Sequence, residues 1–336
     1  MKGSTESMVP NKRFTELLKD IEPSPTTKGN ASSAHTEVRK HLSSCEEFAD
    51  RHIRDFLAGS YARDTAIRPK KLEDGYERPD VDIIIVTNYS ISTDPTKVLT
   101  DLSTAFSTSF KVERINKRSV RIVTSKAEMD IVPVIEIGTT YHLPDRDLGH
   151  FKETNPSAHN DWSGDQNTLF NSRFKPLVKL FKWWRRENKT GRRPKGFVLE
   201  VLVAKHAPIS ETHYGEAFAQ MLENIYSAYG NGGKPSIQDP GLPTSSDILS
   251  KVSITDWKNF IERVRVHADY ARRAQDEDDM EEATRLWRKL FGSRFKATAN
   301  AAQEDSLTTY ATAPAVTTDY VFPNAPATPN KPRGFA

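Results

Sequence analysis

The sequence predicts an α+β fold in which a mixed β-sheet is followed by a helical region. Two patterns lead to this prediction. Up to about residue 145, short segments rich in β-branched residues alternate with segments of helical periodicity. From about residue 165 to residue 291, apolar residues recur almost only three and four positions apart, which is typical of amphipathic helices. We therefore expect the sheet in the first half of the chain and a helical domain in the second.

The first elements lead to a strand that ends abruptly. Residues 11–21 and 33–50 have helical spacing and are predicted to be helices. A strand is predicted at 53–59, with the sequence IRDFLAG, and Ser60 is placed to cap a short helix directly after it. Residues 81–89, VDIIIVTNY, are a β-branched run of the kind found in buried strands.

The next segments complete the predicted sheet. Residues 95–110 have a helical pattern. Three strand-like segments follow, at 111–115, 119–124 and 128–137. The sheet therefore has about four or five strands by residue 145.

The rest of the chain divides into helices and a tail. Helical patterns occur at 171–188, 196–207, 213–229, 254–274 and 279–292. Glycine and proline interrupt them at 230–243, which predicts a loop. From about residue 297 the chain is rich in Ala, Thr and Pro, with too little apolar content to pack. We predict a core with N-terminal helices at 1–160, a helical domain at 161–296 and a disordered tail at 297–336.

The composition indicates a cytoplasmic globular protein. Charged residues make up 28% of the 336 residues and hydrophobic ones 36%. No apolar run approaches the roughly 20 residues that span a bilayer, and the N-terminus lacks a signal-peptide core. A single cysteine, Cys45, excludes an internal disulfide and a Cys-rich zinc site. The net charge of +3 indicates no strong overall attraction to nucleic acid.

Three aspartates form the candidate catalytic and metal-binding site. Asp80 and Asp82 project to the same side of their strand, because alternate residues share a face, and Val81 turns into the core. Such carboxylates repel one another unless a cation lies between them. Asp130 is carried by a later strand and meets them if the two strands are neighbours. Three carboxylates suit two Mg²⁺ ions, or Mn²⁺ ions, about 3.5–4 Å apart for phosphoryl transfer.

The dipeptide Gly59-Ser60 is the candidate phosphate-binding element. Gly59 has no side chain, so the backbone can approach a phosphate closely. Ser60 offers a hydroxyl and an amide at a helix N-terminus, where an anion is favoured. A triphosphate held here would face the aspartates.

Each of these features has an ordinary structural explanation when taken alone. A Gly-Ser pair is commonly a turn, an Asp-x-Asp pair a solvated strand edge, and Asp130 a structural acid in an ion pair. Their combination in this order is what favours a functional site.

The order of these motifs resembles the nucleotidyltransferase superfamily related to DNA polymerase β. The matching segments are GSYARDTAI, DVDIIIV and MDIVPV. The segments LVKLFKWWRREN and RPKGFVLEVLVAKH are more discriminating and resemble the CD-NTases, the cGAS/DncV-like nucleotidyltransferases of bacterial anti-phage systems. The resemblance extends from about residue 35 to residue 291.

The resemblance implies a fold and an activity. It implies a polymerase β-like nucleotidyltransferase core followed by an oligoadenylate-synthetase-like helical domain that closes the cleft. The family joins nucleoside triphosphates, ATP among them, into cyclic di- or trinucleotide second messengers. By this resemblance Asp80 and Asp82 hold the metals, while Asp130 completes the site and helps to deprotonate the attacking ribose hydroxyl.

The resemblance also assigns nucleotide contacts on a basic helix. Its basic residues fall on one stripe, at Lys175, Lys179, Lys182 and Arg186. A solvated helix face is the alternative explanation. A lysine at the place of Lys179 contacts the donor triphosphate in related enzymes. A serine of related enzymes falls near Gly196, so that contact is either missing here or supplied by Lys195. The adjacent Trp183 and Trp184 are expected to be core residues rather than base-stacking platforms.

The sequence leaves two other functions open. The alternatives are a template-independent nucleotidyltransferase acting on RNA or a small-molecule acceptor, and a nucleotide-binding scaffold without activity. The modest net charge argues against a polymer substrate, and the three intact acids argue against an inactive subunit. By resemblance to some CD-NTase operons, the C-terminus is a candidate substrate of ubiquitin-like conjugation machinery, with a plain disordered end as the alternative. We expect no membrane and no duplex DNA as partners.

Overall fold

The computed structural model describes residues 7–73, 75–188 and 194–298. The described chain forms two compact units. The first, which we call the sheet unit, comprises residues 23–165 and 238–246. The second, the helical unit, comprises residues 7–22, 166–237 and 247–298 within the described ranges.

The helices and strands alternate up to residue 154, and helices predominate afterwards. The helices are α1 Asn11–Ile21, α2 Pro25–Ser44, α3 Glu46–Ala49, α4 Gly59–Ala62, α5 Pro95–Ser107, α6 Pro156–Leu169, α7 Phe174–Glu187, α8 Gly196–His206, α9 Tyr214–Tyr229, α10 Ile254–Asp276 and α11 Met280–Phe291. The strands are β1 His52–Ala58, β2 Lys71–Leu72, β3 Gly75–Tyr76, β4 Asp80–Thr87, β5 Lys111–Ile115, β6 Val120–Val123, β7 Glu128–Ile137, β8 Thr140–Asp145, β9 His150–Thr154, β10 Gln238–Asp239 and β11 Leu242–Asp247.

A mixed sheet is the centre of the sheet unit, as the sequence predicts. Its strand order is β1-β4-β7-β6-β5, and β8 and β9 continue the sheet from the end of β7. Strands β4 and β7 pair in parallel, whereas β1 with β4 and β6 with β7 pair antiparallel. Parallel neighbours bring equivalent positions of β4 and β7 side by side.

The apolar run of β4 is buried on both faces of the sheet. Val81, Ile83 and Ile85 pack into a cluster with apolar side chains of α2 and α5. Ile84 and Val86 face the opposite way, into a smaller cluster with Ala58, Val134 and Tyr141. The period of two along the strand therefore fixes which face each β4 side chain occupies.

The helical unit is built around aromatic side chains. Trp183 and Trp184 of α7 are both buried. Trp183 Nε1 donates a hydrogen bond to the Phe291 carbonyl, and Trp184 Nε1 donates one to Nδ1 of His267, both at 2.9 Å. Trp184 also stacks on Phe181, with ring centroids 5.2 Å apart. The two tryptophans are core residues, as predicted.

Several elements differ from the sequence predictions. Helix α2 begins eight residues before the predicted start, because Ser24 caps it by accepting a hydrogen bond from the Thr27 amide at 3.1 Å. Helix α6 was not predicted, since its largely polar sequence lacks an apolar stripe. Strands β8 and β9 and the short pair β10–β11 were also not predicted, and β10 lies in the predicted loop 230–243.

The units do not follow the chain order that the sequence predicts. The predicted boundary after residue 160 falls inside α6. Helix α1 groups with the helical unit, and residues 238–246 group with the sheet unit. The predicted tail, apart from residues 297 and 298, and the predicted conjugation site at the C-terminus lie outside the described residues. Within the described chain, no helix has the length and apolar character that crossing a membrane would require.

His267 makes the stability of the helical unit sensitive to acid. Burial, with a further contribution from Arg263, lowers its pKa to about 4 from an ordinary value near 6.5. Between these values the unfolded chain binds a proton that the folded chain does not, so stability falls as the pH drops from about 6.5 towards 4. His267→Gln keeps an acceptor for Trp184 but removes the titration.

We expect His267→Gln to lose less unfolding free energy than the wild type between pH 7 and pH 5. The difference is at most about 1.4 kcal/mol per pH unit, the limit for one proton. Urea unfolding followed by circular dichroism at both pH values measures it, with His150→Gln at an exposed histidine as the control. An unchanged pH dependence in His267→Gln would contradict the assignment.

Candidate active site

Strands β4 and β7 carry four carboxylates on one face of the sheet. Their parallel register pairs Asp80 with Glu128 and Asp82 with Asp130. Because alternate residues of a strand share a face, all four side chains lie opposite the fully buried Val81. We call Asp80, Asp82, Glu128 and Asp130 the acidic quartet.

Strand β6 supplies a guanidinium group to the acidic quartet. Arg121 is the register neighbour of Asp130 and is 14% exposed. Its Nη2 donates to Asp130 and, at 3.1 Å, to Asp80, and its Nη1 donates to Glu128 at 2.8 Å. The hydrogen bond to Asp130 is the main cause that raises the pKa of Arg121, so the guanidinium remains charged. One cation thus contacts three of the four acids.

Asp130 is oriented by several hydrogen-bond donors. Asn116 Nδ2 and Ser119 Oγ donate to its Oδ1 at 3.0 Å and 3.1 Å. Arg121 Nε also donates to this oxygen, at 3.2 Å. The carboxylate that the sequence assigns as the third catalytic acid is therefore held in one orientation.

Asp82 differs from the other members of the quartet. In residues 7–73, 75–188 and 194–298, no hydrogen-bond donor contacts its carboxylate. Burial, followed by repulsion from Asp80 and Asp130, raises its pKa to about 6. Arg63 and Arg121 oppose this shift without cancelling it. Asp82 is thus the carboxylate with the most to gain from a nearby cation.

Gly59 lies against Asp82 with no space for a side chain. It follows the last residue of β1, which pairs with Asp82 in the sheet. Its φ of +71° is strained for other residues, and a Cβ placed on it would lie 1.8 Å from Oδ2 of Asp82. Glycine is therefore required here both by the backbone and by the adjacent carboxylate.

The Gly-Ser turn also presents polar groups. Helix α4, which begins at Gly59, is a single turn, and the first amides of any helix have no acceptor within it. The Ser60 carbonyl accepts hydrogen bonds from the amides of Thr65 and Ala66, at 2.9 Å and 3.1 Å. Across the part of the chain that the structure describes, the Ser60 hydroxyl has no hydrogen-bond partner. Local donors, rather than the dipole of a long helix, are what this turn offers an anion.

The acidic quartet fits a divalent cation by charge and by donor type. All of its ligand atoms would be carboxylate oxygens, which Mg²⁺ and Mn²⁺ prefer. Among the described residues, however, no group of three or more Asp, Glu, His or Cys side chains is arranged to hold a metal ion. Asp80 and Asp130 each direct an oxygen to Arg121 instead. The guanidinium is a stand-in for the positive charge that the quartet requires.

The predicted nucleotide-binding lysines belong to the helical unit. Lys179 is 3% exposed, and its Nζ lies 2.7 Å from Glu22 Oε1. Lys182 pairs in the same way with Glu200, at 2.8 Å. Lys175 is buried as well, like Lys179 and Lys182. The alternative explanation, that the basic stripe is a solvated helix face, is therefore wrong for these three lysines. The triphosphate contact assigned to Lys179 stays a prediction.

Lys195 and Gly196 lie at the start of α8. Lys195 is the exposed N-cap residue and its side chain makes no capping hydrogen bond. Gly196 approaches Lys182 closely, since an added Cβ would lie 3.2 Å from Cε of that lysine. The glycine thus accommodates the buried lysine, and the phosphate contact assigned to Lys195 stays a prediction.

Sequence reasoning missed four residues around the acids. These are Arg121, Glu128, Asn116 and Ser119. The available signal was a charged residue within the strand-like SVRIVT, because an arginine in a buried strand needs an acidic partner. Identifying that partner requires the register between β6 and β7, which the sequence does not specify.

Comparisons with known proteins identify the family. The family model for the Second Messenger Oligonucleotide or Dinucleotide Synthetase domain matches residues 8–167. A protein of Acinetobacter sp. (strain ATCC 27244 / 9458) named cyclic AMP-AMP-AMP synthase is 42% identical, over 99% of this chain and 100% of that protein. A cyclic AMP-AMP-GMP synthase of Enterobacter hormaechei subsp. hoffmannii (strain UCI 50) is 27% identical, over 84% of this chain and 91% of that protein.

A solved structure has the same fold. CdnC of E. coli MS115-1, determined with ATP, superposes with a TM-score of 0.70 at 21% identity, covering 86% of this chain and 100% of CdnC. Fold, motif order and full-length similarity agree with one another. The chain belongs to the CD-NTase family, the nucleotidyltransferases that synthesise cyclic oligonucleotide second messengers.

Proposed function

We propose that the chain joins three AMP units from ATP into a cyclic trinucleotide, cyclic AMP-AMP-AMP, as a second messenger in anti-phage defence. The observation that carries this proposal is the 42% identity, end to end, with a protein named for that product. The acidic quartet beside the Gly-Ser turn supplies a matching chemical site. The choice of ATP as the sole substrate follows from the name of the 42% identical relative. The cyclic AMP-AMP-GMP synthase, which is 27% identical, is named for a product that also contains GMP.

The proposed reaction is a repeated nucleotidyl transfer. A ribose hydroxyl oxygen of one nucleotide attacks the α-phosphorus of an ATP, a new P–O bond forms, and pyrophosphate leaves. Divalent ions held by Asp80, Asp82 and Asp130 would lower the pKa of that hydroxyl and neutralise charge on the leaving group. Asp130 is the proposed acceptor of the hydroxyl proton, and the hydrogen bonds from Asn116 and Ser119 aim its carboxylate.

The Gly-Ser turn is the proposed seat of the triphosphate. The amides at the start of α4 and the Ser60 hydroxyl are donors that a phosphate can accept from. Gly59 keeps the backbone close to Asp82, so a phosphate on the turn would lie beside the proposed metal ligands. Lys179, carried over from the family resemblance, is a proposed further contact to the triphosphate. Lys195 is the proposed replacement for the serine contact of related enzymes.

The product of ATP tests the proposed function directly. Purified protein with ATP, Mg²⁺ and phosphatase should yield a phosphatase-resistant species with the mass of three linked AMP units. A mixed AMP and GMP product from all four NTPs would correct the base choice. An extended RNA, or a modified small acceptor, would replace cyclic synthesis by the alternative transferase function.

Asp82→Asn is the inactive control for that assay. It removes a proposed metal ligand, so we expect turnover to fall by at least about a thousandfold. The carboxylate that is lost is buried and repelled by its neighbours, so thermal stability should be kept or rise. The melting temperature and the rate of pyrophosphate release measure the two effects. Full activity in Asp82→Asn would exclude the proposed metal site.

Gly59→Ala should abolish activity by displacing the Asp82 carboxylate. The new Cβ would overlap Oδ2 of Asp82, which has to move. Gly149→Ala is the matched control, because Gly149 has a similar φ of +68° but has no atom near its Cβ position. Both variants should lose about 1 kcal/mol or slightly more through backbone strain. Only Gly59→Ala should lose turnover, and equal activity in the two would reject the close approach as a requirement.

The role of Lys179 can be separated from its ion pair with Glu22. Lys179→Met alone removes the ion-pair partner of the buried Glu22 carboxylate and should cost about 3–5 kcal/mol of unfolding free energy. Adding Glu22→Gln should restore most of that stability. If Lys179 binds the triphosphate, KM for ATP stays raised in the double variant and is not raised in Glu22→Gln alone. A normal KM in the double variant would leave Lys179 with a structural role only.

A further inference from the structure

Arg121 lies at the point where a bound metal would compete for the same oxygens. Its Nη2 spans from Oδ2 of Asp130 on β7 to Oδ1 of Asp80 on β4. These two aspartates are also two of the three proposed metal ligands. A carboxylate oxygen that accepts a charged guanidinium hydrogen bond is a weaker ligand for a second cation nearby.

The charge balance makes Arg121 necessary when no metal is bound. The acidic quartet has four acidic groups on two adjacent strands, and Arg121 contacts three of them. Like charges at neighbouring strand positions destabilise a sheet. Removing the arginine would leave Asp80, Glu128 and Asp130 facing one another without this counter-ion.

We infer that Arg121 is a resident counter-ion that holds the acidic quartet together without metal and is displaced from Asp80 and Asp130 when divalent ions bind. Arg121 is in this sense a positioning residue, which acts through the acids. It keeps the strands paired when the site lacks metal, and it weakens metal binding because its bonds to the ligands must first be broken. The inference rests on the proposed metal site.

The fork of the guanidinium is the feature that suits arginine to this role. Three of its nitrogens reach three carboxylates on two strands at once. A lysine ammonium at this position carries the same charge but is a single point with no planar fork. Arg121→Lys should therefore preserve the charge and lose part of the bridge between strands.

Binding of Mn²⁺ without nucleotide is the direct test. The full-length protein is titrated with Mn²⁺ by calorimetry, and its melting temperature is measured with and without the ion. We expect Arg121→Gln to melt lower than the wild type without metal, to bind Mn²⁺ about tenfold more tightly or better, and to gain more stability from Mn²⁺. Arg121→Lys should lie between the wild type and Arg121→Gln in both measurements.

Arg54→Gln is the charge-matched control. Arg54 is a β1 residue of the same sheet, and its ion pair is with the half-exposed Glu136 rather than with the quartet. It should leave Mn²⁺ affinity within about twofold of the wild type, since exposed charges contribute little at a distance. Equal tightening in Arg54→Gln and Arg121→Gln would reduce the effect to net charge and overturn the inference.

A second variant keeps the test decisive if Arg121→Gln does not fold without metal. Glu128→Gln removes one like charge from the quartet without touching a proposed metal ligand. The double variant Arg121→Gln/Glu128→Gln should then bind Mn²⁺ more tightly than Glu128→Gln alone. Equal or weaker binding in the double variant overturns the inference.

Asp82→Asn distinguishes failure of this inference from failure of the proposed metal site. If Asp82→Asn weakens Mn²⁺ binding but Arg121→Gln does not tighten it, the metal site stands and the role of Arg121 is wrong. If Asp82→Asn leaves Mn²⁺ binding unchanged, the metal site itself is wrong. Absence of Mn²⁺ binding in both the wild type and Arg121→Gln also overturns the inference, because Arg121 would then not limit binding.

Discussion

Repulsion between carboxylates on paired strands is the constraint on which this site depends. Parallel pairing of β4 and β7 sets Asp80 beside Glu128 and Asp82 beside Asp130. The arrangement is unfavourable without positive charge, and the fold supplies one guanidinium from the next strand. The site is therefore poised for cations by its backbone register, before any ligand is considered.

The surrounding fold explains how such repulsion is tolerated. The opposite face of β4 is packed against helices through Val81, Ile83 and Ile85, so the strand is fixed by apolar contacts. On the acidic face, a second apolar cluster begins immediately after Asp82, at Ile84. Burial on both sides therefore fixes the strand that carries Asp80 and Asp82.

Much of this arrangement could be predicted from short sequence motifs. DVDIIIV specifies a strand with two acids on one face, and Gly59-Ser60 specifies a turn that only glycine can enter in this conformation. The main strands of the sheet and the long amphipathic helices follow from periodicity. The candidate site could be predicted because its residues lie at the ends of strongly patterned strands.

What could not be predicted depends on pairing between distant segments. Arg121 appears in the sequence as an ordinary strand residue, and only the β6–β7 register brings it to Asp130. The buried lysines of α7 were equally hidden, because a basic stripe on a helix normally faces water. Glu22 and Glu200, which pair with two of them, are far away in the sequence or on another helix.

The hairpin of β6 and β7 also has a consequence for the order in which the protein folds. Arg121 and Asp130 are nine residues apart, whereas Asp82 and Asp130 are separated by forty-eight. Short loops close sooner and at lower entropic cost than long ones. Loop closure therefore favours pairing of Arg121 with the acids of β7 first, and we expect β4 to dock onto a strand whose charge is already partly neutralised.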